Sequence, residues 1–314
     1  VSTPHDPRAQ AIARGRAYDL LGGLFRRGPQ RLDHLRAIDA LAPFVPETID
    51  DDVLAEHYRL LGQELPPHES VFLEPTALLG GGRSRDVRQS MAQGGFSPDD
   101  SDAEPDHLGT ELAFLAHLCG AEADAWRDGE ERVARRIQSL QREFLGLHLL
   151  PWLPPLVVAL DQVDRGEGRG LYAAAARLTL ELAVDHHGAP LPEVALPPLA
   201  PILDQPKTGM RQIGDFLAVP ANLGALPTPS WIRAVGRRAG VSSGFGKRGM
   251  LLESLLQTAV RRGELGVLLG VLDEELAALQ EATAALPLGG AWAARLGESR
   301  GLVGRMAGAL AAGS

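Results

Sequence analysis

Asp106 and His107 stand side by side ahead of an apolar run, in the string Pro105-Asp106-His107-Leu108-Gly109-Thr110-Glu111-Leu112. A carboxylate at such a helix start caps free N–H groups and suits the helix dipole, or it accepts from a guanidinium fork. A second string, Phe144-Leu145-Gly146-Leu147-His148-Leu149-Leu150-Pro151-Trp152, sets His148 and Trp152 four residues apart. That spacing predicts two rings on one helical face where Pro151 bends or ends the helix.

Other chemistries find less support. Gly244-Phe245-Gly246-Lys247-Arg248-Gly249 spells G-x-G-x-x-G, but a dinucleotide site needs a strand before it, and a helix end and turn precede it here. A glycine-rich turn capping the next helix is the plainer reading. A weaker anion site at Lys247 and Arg248, at the start of that helix, stays open. From Trp231 to Arg262 seven cations face one acid, Glu253, in a chain of net charge −9. This is either a solvated face paired within the chain, or a docking patch for a phosphate-bearing ligand or an acidic partner. His186 and His187 are adjacent and point apart on a helix; no H-E-x-x-H occurs, so no metal site is expected. No nucleophile motif is found, and Cys119, set in an apolar stretch, is expected to be packed rather than reactive.

The elements that must carry these residues are helical. The 314 residues include 51 leucines against 7 isoleucines, a bias toward helix formers over β-branched residues. Val133, Ile137, Leu140, Phe144 and Leu147 recur at helical spacing, as do Leu171, Ala175, Leu178 and Leu182, and Leu265, Leu268, Leu272, Leu276 and Leu279. The pattern predicts an all-α protein, with helices over 6–26, 31–42, 50–63, 106–127, 130–149, 154–165, 169–186, 208–218, 229–239, 248–262, 264–285 and 291–311. A polar acidic stretch, 97–104, reads as a loop, and a proline-rich connector, 188–206, is expected to divide a core, 1–187, from a helical C-terminal extension, 207–314. The acidic balance argues against a nucleic-acid partner. No run reaches about 18 apolar residues and no leader is visible, so the cytoplasm is the expected address without a membrane span.

Three strings together resemble the TorD/DmsD/NarJ family of cytoplasmic chaperones for molybdenum-cofactor oxidoreductases. They are Tyr58-Arg59-Leu60-Leu61 followed by Pro66-Pro67-His68-Glu69-Ser70-Val71-Phe72, then Pro105-Asp106-His107-Leu108, then Phe144 to Trp152. The likeness spans about 10–187. It implies a helical bundle of the TorD/DmsD type with no catalysis. It also implies a twin-arginine signal peptide as ligand and a molybdopterin oxidoreductase catalytic subunit as partner. Export would be delayed until the cofactor is inserted. Dimers formed by helix exchange across 97–104 are a further implication.

A basic, apolar leader needs carboxylates and an apolar groove. Asp106 is therefore expected as an acceptor with His107 on the rim, and Tyr58, Phe72 and Trp152 as groove wall. Glu69 and Glu111 are further acceptors on chemical grounds, and Pro105, Leu108, Phe144 and His148 are the structural part of the motif. No permanent cofactor is expected; transient contact with molybdopterin cofactor or a guanine nucleotide would fall to the basic region. A nucleotide- or phosphate-binding protein, and an assembly scaffold for a folded subunit in the manner of the nitrate-reductase branch, are the alternative functions.

Overall fold

The structure, a computed structural model, describes residues 6–77, 79–98, 104–164, 170–199, 201–204 and 208–312. The loop read as an exchange hinge lies, from 99 to 103, outside these residues, as do 200, 205 and 206 of the connector. The described residues form fifteen α-helices and no strand, with one isolated antiparallel bridge between His68 and His107.

In the first part run α1 (Pro7–Arg27), α2 (Leu32–Arg36), α3 (Asp51–His57), α4 (Glu69–Leu73), α5 (Gly81–Gln93), α6 (Leu108–Arg127), α7 (Glu131–Phe144), α8 (Leu153–Val163) and α9 (Leu171–His187). Beyond the connector follow α10 (Met210–Leu217), α11 (Pro220–Leu223), α12 (Pro229–Arg238), α13 (Arg248–Arg262), α14 (Leu265–Ala284) and α15 (Gly290–Ala312). The helix expected over 31–42 stops at Arg36, and Pro43 lies in a 3₁₀ turn, Ala42–Phe44. The expected 50–63 helix widens after His57 into a π turn, Tyr58–Glu64, closed by Leu65 N–H to Leu60 C=O at 2.8 Å. The helices α4 and α11 are too short to show an apolar stripe, which hid them in the sequence.

The α1 and α6 helices pack lengthwise at close range. A Cβ on Gly109 would fall 2.7 Å from the carbonyl oxygen of Gly22, so the crossing requires glycine there. Beneath them a buried polar chain ties four helices. Glu122 accepts from Arg14 at 3.0 Å and Gln141 at 3.0 Å. The Gln141 Oε1 meets His186 Nε2 at 3.0 Å, and His186 Nδ1 meets the Tyr18 hydroxyl at 2.9 Å. This chain explains a departure from the expected stripe on α7. Val133 and Leu147 are exposed, while Ala134, Gln141 and Phe144 face inward. A buried glutamine stands in for an apolar residue because its amide is satisfied.

Apolar side chains gather in two clusters, one around Tyr18, Phe25, Leu112 and Leu156, the other around Trp231, Leu255, Leu268 and Leu276. They interleave. Trp292 of α15 sits in the first cluster and donates to the Pro151 carbonyl at 2.7 Å, while Val158 of α8 joins the second. Buried Arg295 donates to the carbonyls of Ala221 and Pro197.

Candidate functional site

The three motif strings converge on one place. Pro67-His68-Glu69 runs antiparallel to Asp106-His107-Leu108, with Glu69 N–H donating to Asp106 C=O at 2.9 Å and Leu108 N–H to Pro67 C=O at 2.8 Å. The His68 and His107 rings meet edge to face at 4.9 Å. Asp106 Oδ2 accepts from Ser70 N–H at 3.0 Å, and His68 Nδ1 lies 3.8 Å from Oδ1. The third string enters through Glu69, whose Oε2 is 3.1 Å from His148 Nδ1; the other ring nitrogen meets Ser90 Oγ at 2.8 Å. Arg83 Nη1 approaches Glu69 Oε1 at 3.5 Å. The Phe72 ring packs on Trp152 at 5.3 Å, and Phe144 on His148 at 5.0 Å.

These contacts correct several expectations. Asp106, Glu69, Glu111, Phe72 and Trp152 are each 0% exposed, so they form neither a lip nor a groove wall on the surface. A carboxylate inside the protein is tolerated only when hydrogen-bonded, paired or protonated, and each of these fits one of the three. Asp106 does not cap its helix. His107 does, accepting from Gly109 N–H at 3.0 Å, while Asp106 reaches across to Ser70. His148 and Trp152 take different ring partners. A π turn over Leu145–Leu149 breaks the four-residue register between them. Pro105 and Leu108 are buried at the same joint. Tyr58 alone of the expected wall is open, at 64% exposure.

The electrostatics follow from burial. Burial works to raise the Asp106 carboxyl, but His68 and the Ser70 N–H outweigh it and hold the group at about 2. Burial, with the nearby charges of His68 and Arg26, pushes His107 down to about 3, keeping it neutral. Burial also raises Glu69, opposed by His148 and Arg83. Glu111 is raised well above the carboxylate range by burial and by the neighbouring Glu69 and Asp106. Among the described residues neither of its oxygens is in hydrogen-bond geometry, and the Trp152 indole N–H beside it acts in the opposite sense. This assembly is a brace that fixes α4 against α6 and the π turn.

Two recesses open on the surface. One, about 610 Å³, lies in front of α3, lined by Phe44, Asp50, Asp52, Glu56, Arg59, Asp164 and Tyr172 among others. Four carboxylates there face one guanidinium. Asp50 caps α3 through Val53 N–H, Asp164 caps α9, and Glu56 grips Arg59 at 2.6 Å. Asp52 is exposed with no ion pair among the described residues. Phe44 forms a wall shared with a neighbouring hollow of about 520 Å³. Gly170 (φ 113°) makes room for it, since an added Cβ would fall 2.9 Å from the Phe44 ring. Ile49, Leu54 and Tyr58 are exposed nearby in sequence. Sequence reading missed this recess. Its signal was Asp50-Asp51-Asp52, which reads first as an ordinary acidic helix start.

The other recess, about 1290 Å³, lies between the segment 63–79 and the helices beyond the connector; Lys247 and Arg248 line it. The glycine-rich string joins α12 to α13 with no strand before it, which removes the dinucleotide reading. Cys119 is buried and its thiol pushed up to about 12 by burial. Among the described residues no group of three or more His, Cys, Asp or Glu could hold a metal. No single helix there is long and apolar enough to cross a membrane; one bent pair, Glu131–Leu149 with Leu153–Val163, has the length and composition.

All three motif strings fall within residues 33–158, which match the family described as nitrate reductase delta subunit. Over this stretch the chain resembles the assembly chaperones of the TorD/DmsD/NarJ group. It is similar to the chaperone protein TorD of Vibrio cholerae, 35% identical over 115 residues, which is 36% of this chain and 49% of that protein. A chlorate reductase assembly chaperone of Ideonella dechloratans is 51% identical over 60 residues, covering 19% of this chain and 30% of its own. A selenate reductase assembly chaperone of Thauera selenatis is 45% identical over 69 residues, covering 22% and 34%. The chain thus spans about half the length, or less, of the curated relatives it matches. No solved structure matches it.

Proposed function

We propose that this protein is a cytoplasmic assembly chaperone for a molybdopterin-dependent oxidoreductase. It binds the twin-arginine leader of the catalytic subunit and delays export while the cofactor is inserted. The relatives' names support the chaperone role. One observation carries the leader reading: the α3 recess joins carboxylates in excess to an aromatic wall, the chemistry that a basic leader with an apolar helix requires. Asp52 and Asp50 accept from the arginines, and Phe44 and Tyr58 meet the apolar part. The Asp106 brace, by fixing α4 and α6, acts at a distance. The alternative of a scaffold for a folded, leaderless subunit is favoured by the nitrate reductase delta subunit match alone.

Calorimetry with synthetic leaders of the source organism's molybdoenzymes is the test. One leader binds at roughly micromolar strength, and Asp52→Lys weakens it about tenfold, equivalent to ~1.4 kcal/mol. No heat with any leader, together with co-purification of a mature subunit, replaces this reading with the scaffold.

A further inference from the structure

The larger recess carries a different charge from the α3 recess. Its floor is apolar, with Pro66, Val71 and Pro75 on one side and Phe216 and Val219 on the other. Its two nearest carboxylates are committed. Glu64 accepts from Ser230 N–H at 2.9 Å and lies 3.8 Å from Arg233; Asp215 lies 3.8 Å from Arg211. The cations are not. Lys247 is exposed and has no ion pair among the described residues. Arg248 Nη1 is buried with no hydrogen-bond partner among the described residues. A guanidinium N–H withdrawn from water and left unmet is costly, and the groove is where a partner could reach it. Flanking the lining residues Gly246 to Gly249 in sequence, Phe245 is 93% exposed and Met250 is also open. At about 1290 Å³ the groove exceeds the usual range of small-molecule pockets.

We propose that this groove docks a segment of the client polypeptide made of apolar residues around a carboxylate. The carboxylate meets Arg248 and Lys247, the apolar flanks lie on Val71, Phe216 and Val219, and Phe245 closes over the rim. The proposal takes only the existence of a client from the reading above. Its charge requirement is opposite to that of a leader, so the two sites select different segments.

The test uses the full chain and a labelled model peptide of leucine and alanine with one central aspartate, beside its asparagine and lysine counterparts. By fluorescence anisotropy the aspartate peptide binds about tenfold tighter than the asparagine peptide, the difference expected of a charge-assisted contact. Arg248→Gln abolishes that difference, Arg248→Lys keeps part of it, and Phe245→Ser weakens all three peptides alike. Circular dichroism melting confirms that each variant folds. Equal binding of the three peptides, no binding of any, or an unchanged ratio in Arg248→Gln overturns the proposal. So does Arg248-dependent binding of inorganic phosphate or guanine nucleotide without peptide binding, which makes the groove a phosphate site. Leader titration of Arg248→Gln is unchanged. If wild type binds the aspartate peptide but no leader, the leader reading falls and the groove stands.

Discussion

Asp106 accepts a hydrogen bond from the backbone N–H of Ser70 at 3.0 Å, tying the start of α6 to a short helix 36 residues earlier. A carboxylate so placed holds two chain segments together, and the neutral His107 beside it closes the helix end.

Asp106→Ala is therefore expected to act on stability before it acts on ligand binding. It removes a buried, charge-assisted acceptor and costs about 2 kcal/mol at neutral pH; Asp106→Asn costs less. The folded-state value of about 2 lies below the ordinary 3.8. The contribution is thus present above the ordinary value and lost as pH falls toward 2. Urea denaturation at pH 7 and pH 3 should show the gap between wild type and variant narrowing in acid. A constant gap means that the carboxylate is not the source.

Glu111 has the opposite sign. Burial raises its folded value, so the folded state keeps a proton that the unfolded state releases, and stability falls as pH rises above the ordinary 4.5. Glu111→Gln removes that dependence. The variant should melt progressively above wild type between pH 5 and pH 8, gaining at most ~1.4 kcal/mol per pH unit. Parallel melting curves contradict this.

Cys119 should resist alkylation. With its thiol buried and shifted to about 12, iodoacetamide at pH 8 leaves the native protein unmodified and labels it fully in urea, as mass spectrometry can read. Fast native labelling shows that α6 opens locally.

Trp292 joins the extension to the first part through its ring and the 2.7 Å bond to Pro151. Trp292→Ala is expected to destabilise by about 3–5 kcal/mol. Because the clusters interleave, wild type should unfold in one calorimetric transition, and the variant in two if this side chain couples the halves. Two transitions in wild type would mean that the parts fold independently.

The sequence conveyed the fold class well, since leucine-rich stripes such as Leu265 to Leu279 have no strand alternative, and all five leucines of that stripe are buried. It placed α7 but misjudged its buried face, because periodicity counts apolar residues and cannot see that Gln141 is satisfied inside. The three motif strings were legible as a set, and they do converge. Their exposure was not legible. A carboxylate written beside an apolar run looks the same in sequence whether it faces water or Ser70. The α3 recess depends on Phe44, Asp52 and Asp164 meeting across the fold, which no local spacing records.

The π turns at Tyr58–Glu64 and Leu145–Leu149 each lodge one surplus residue in a helical run. In the second, the surplus swings His148 toward Glu69 and frees Trp152 for Phe72. Excising a residue between Phe144 and Trp152 would rewind the run to ordinary pitch and turn one ring away by about 100°. The length of that string is consequently as much a part of its meaning as the letters in it, and a shortened copy would be a misspelling even with every named side chain retained.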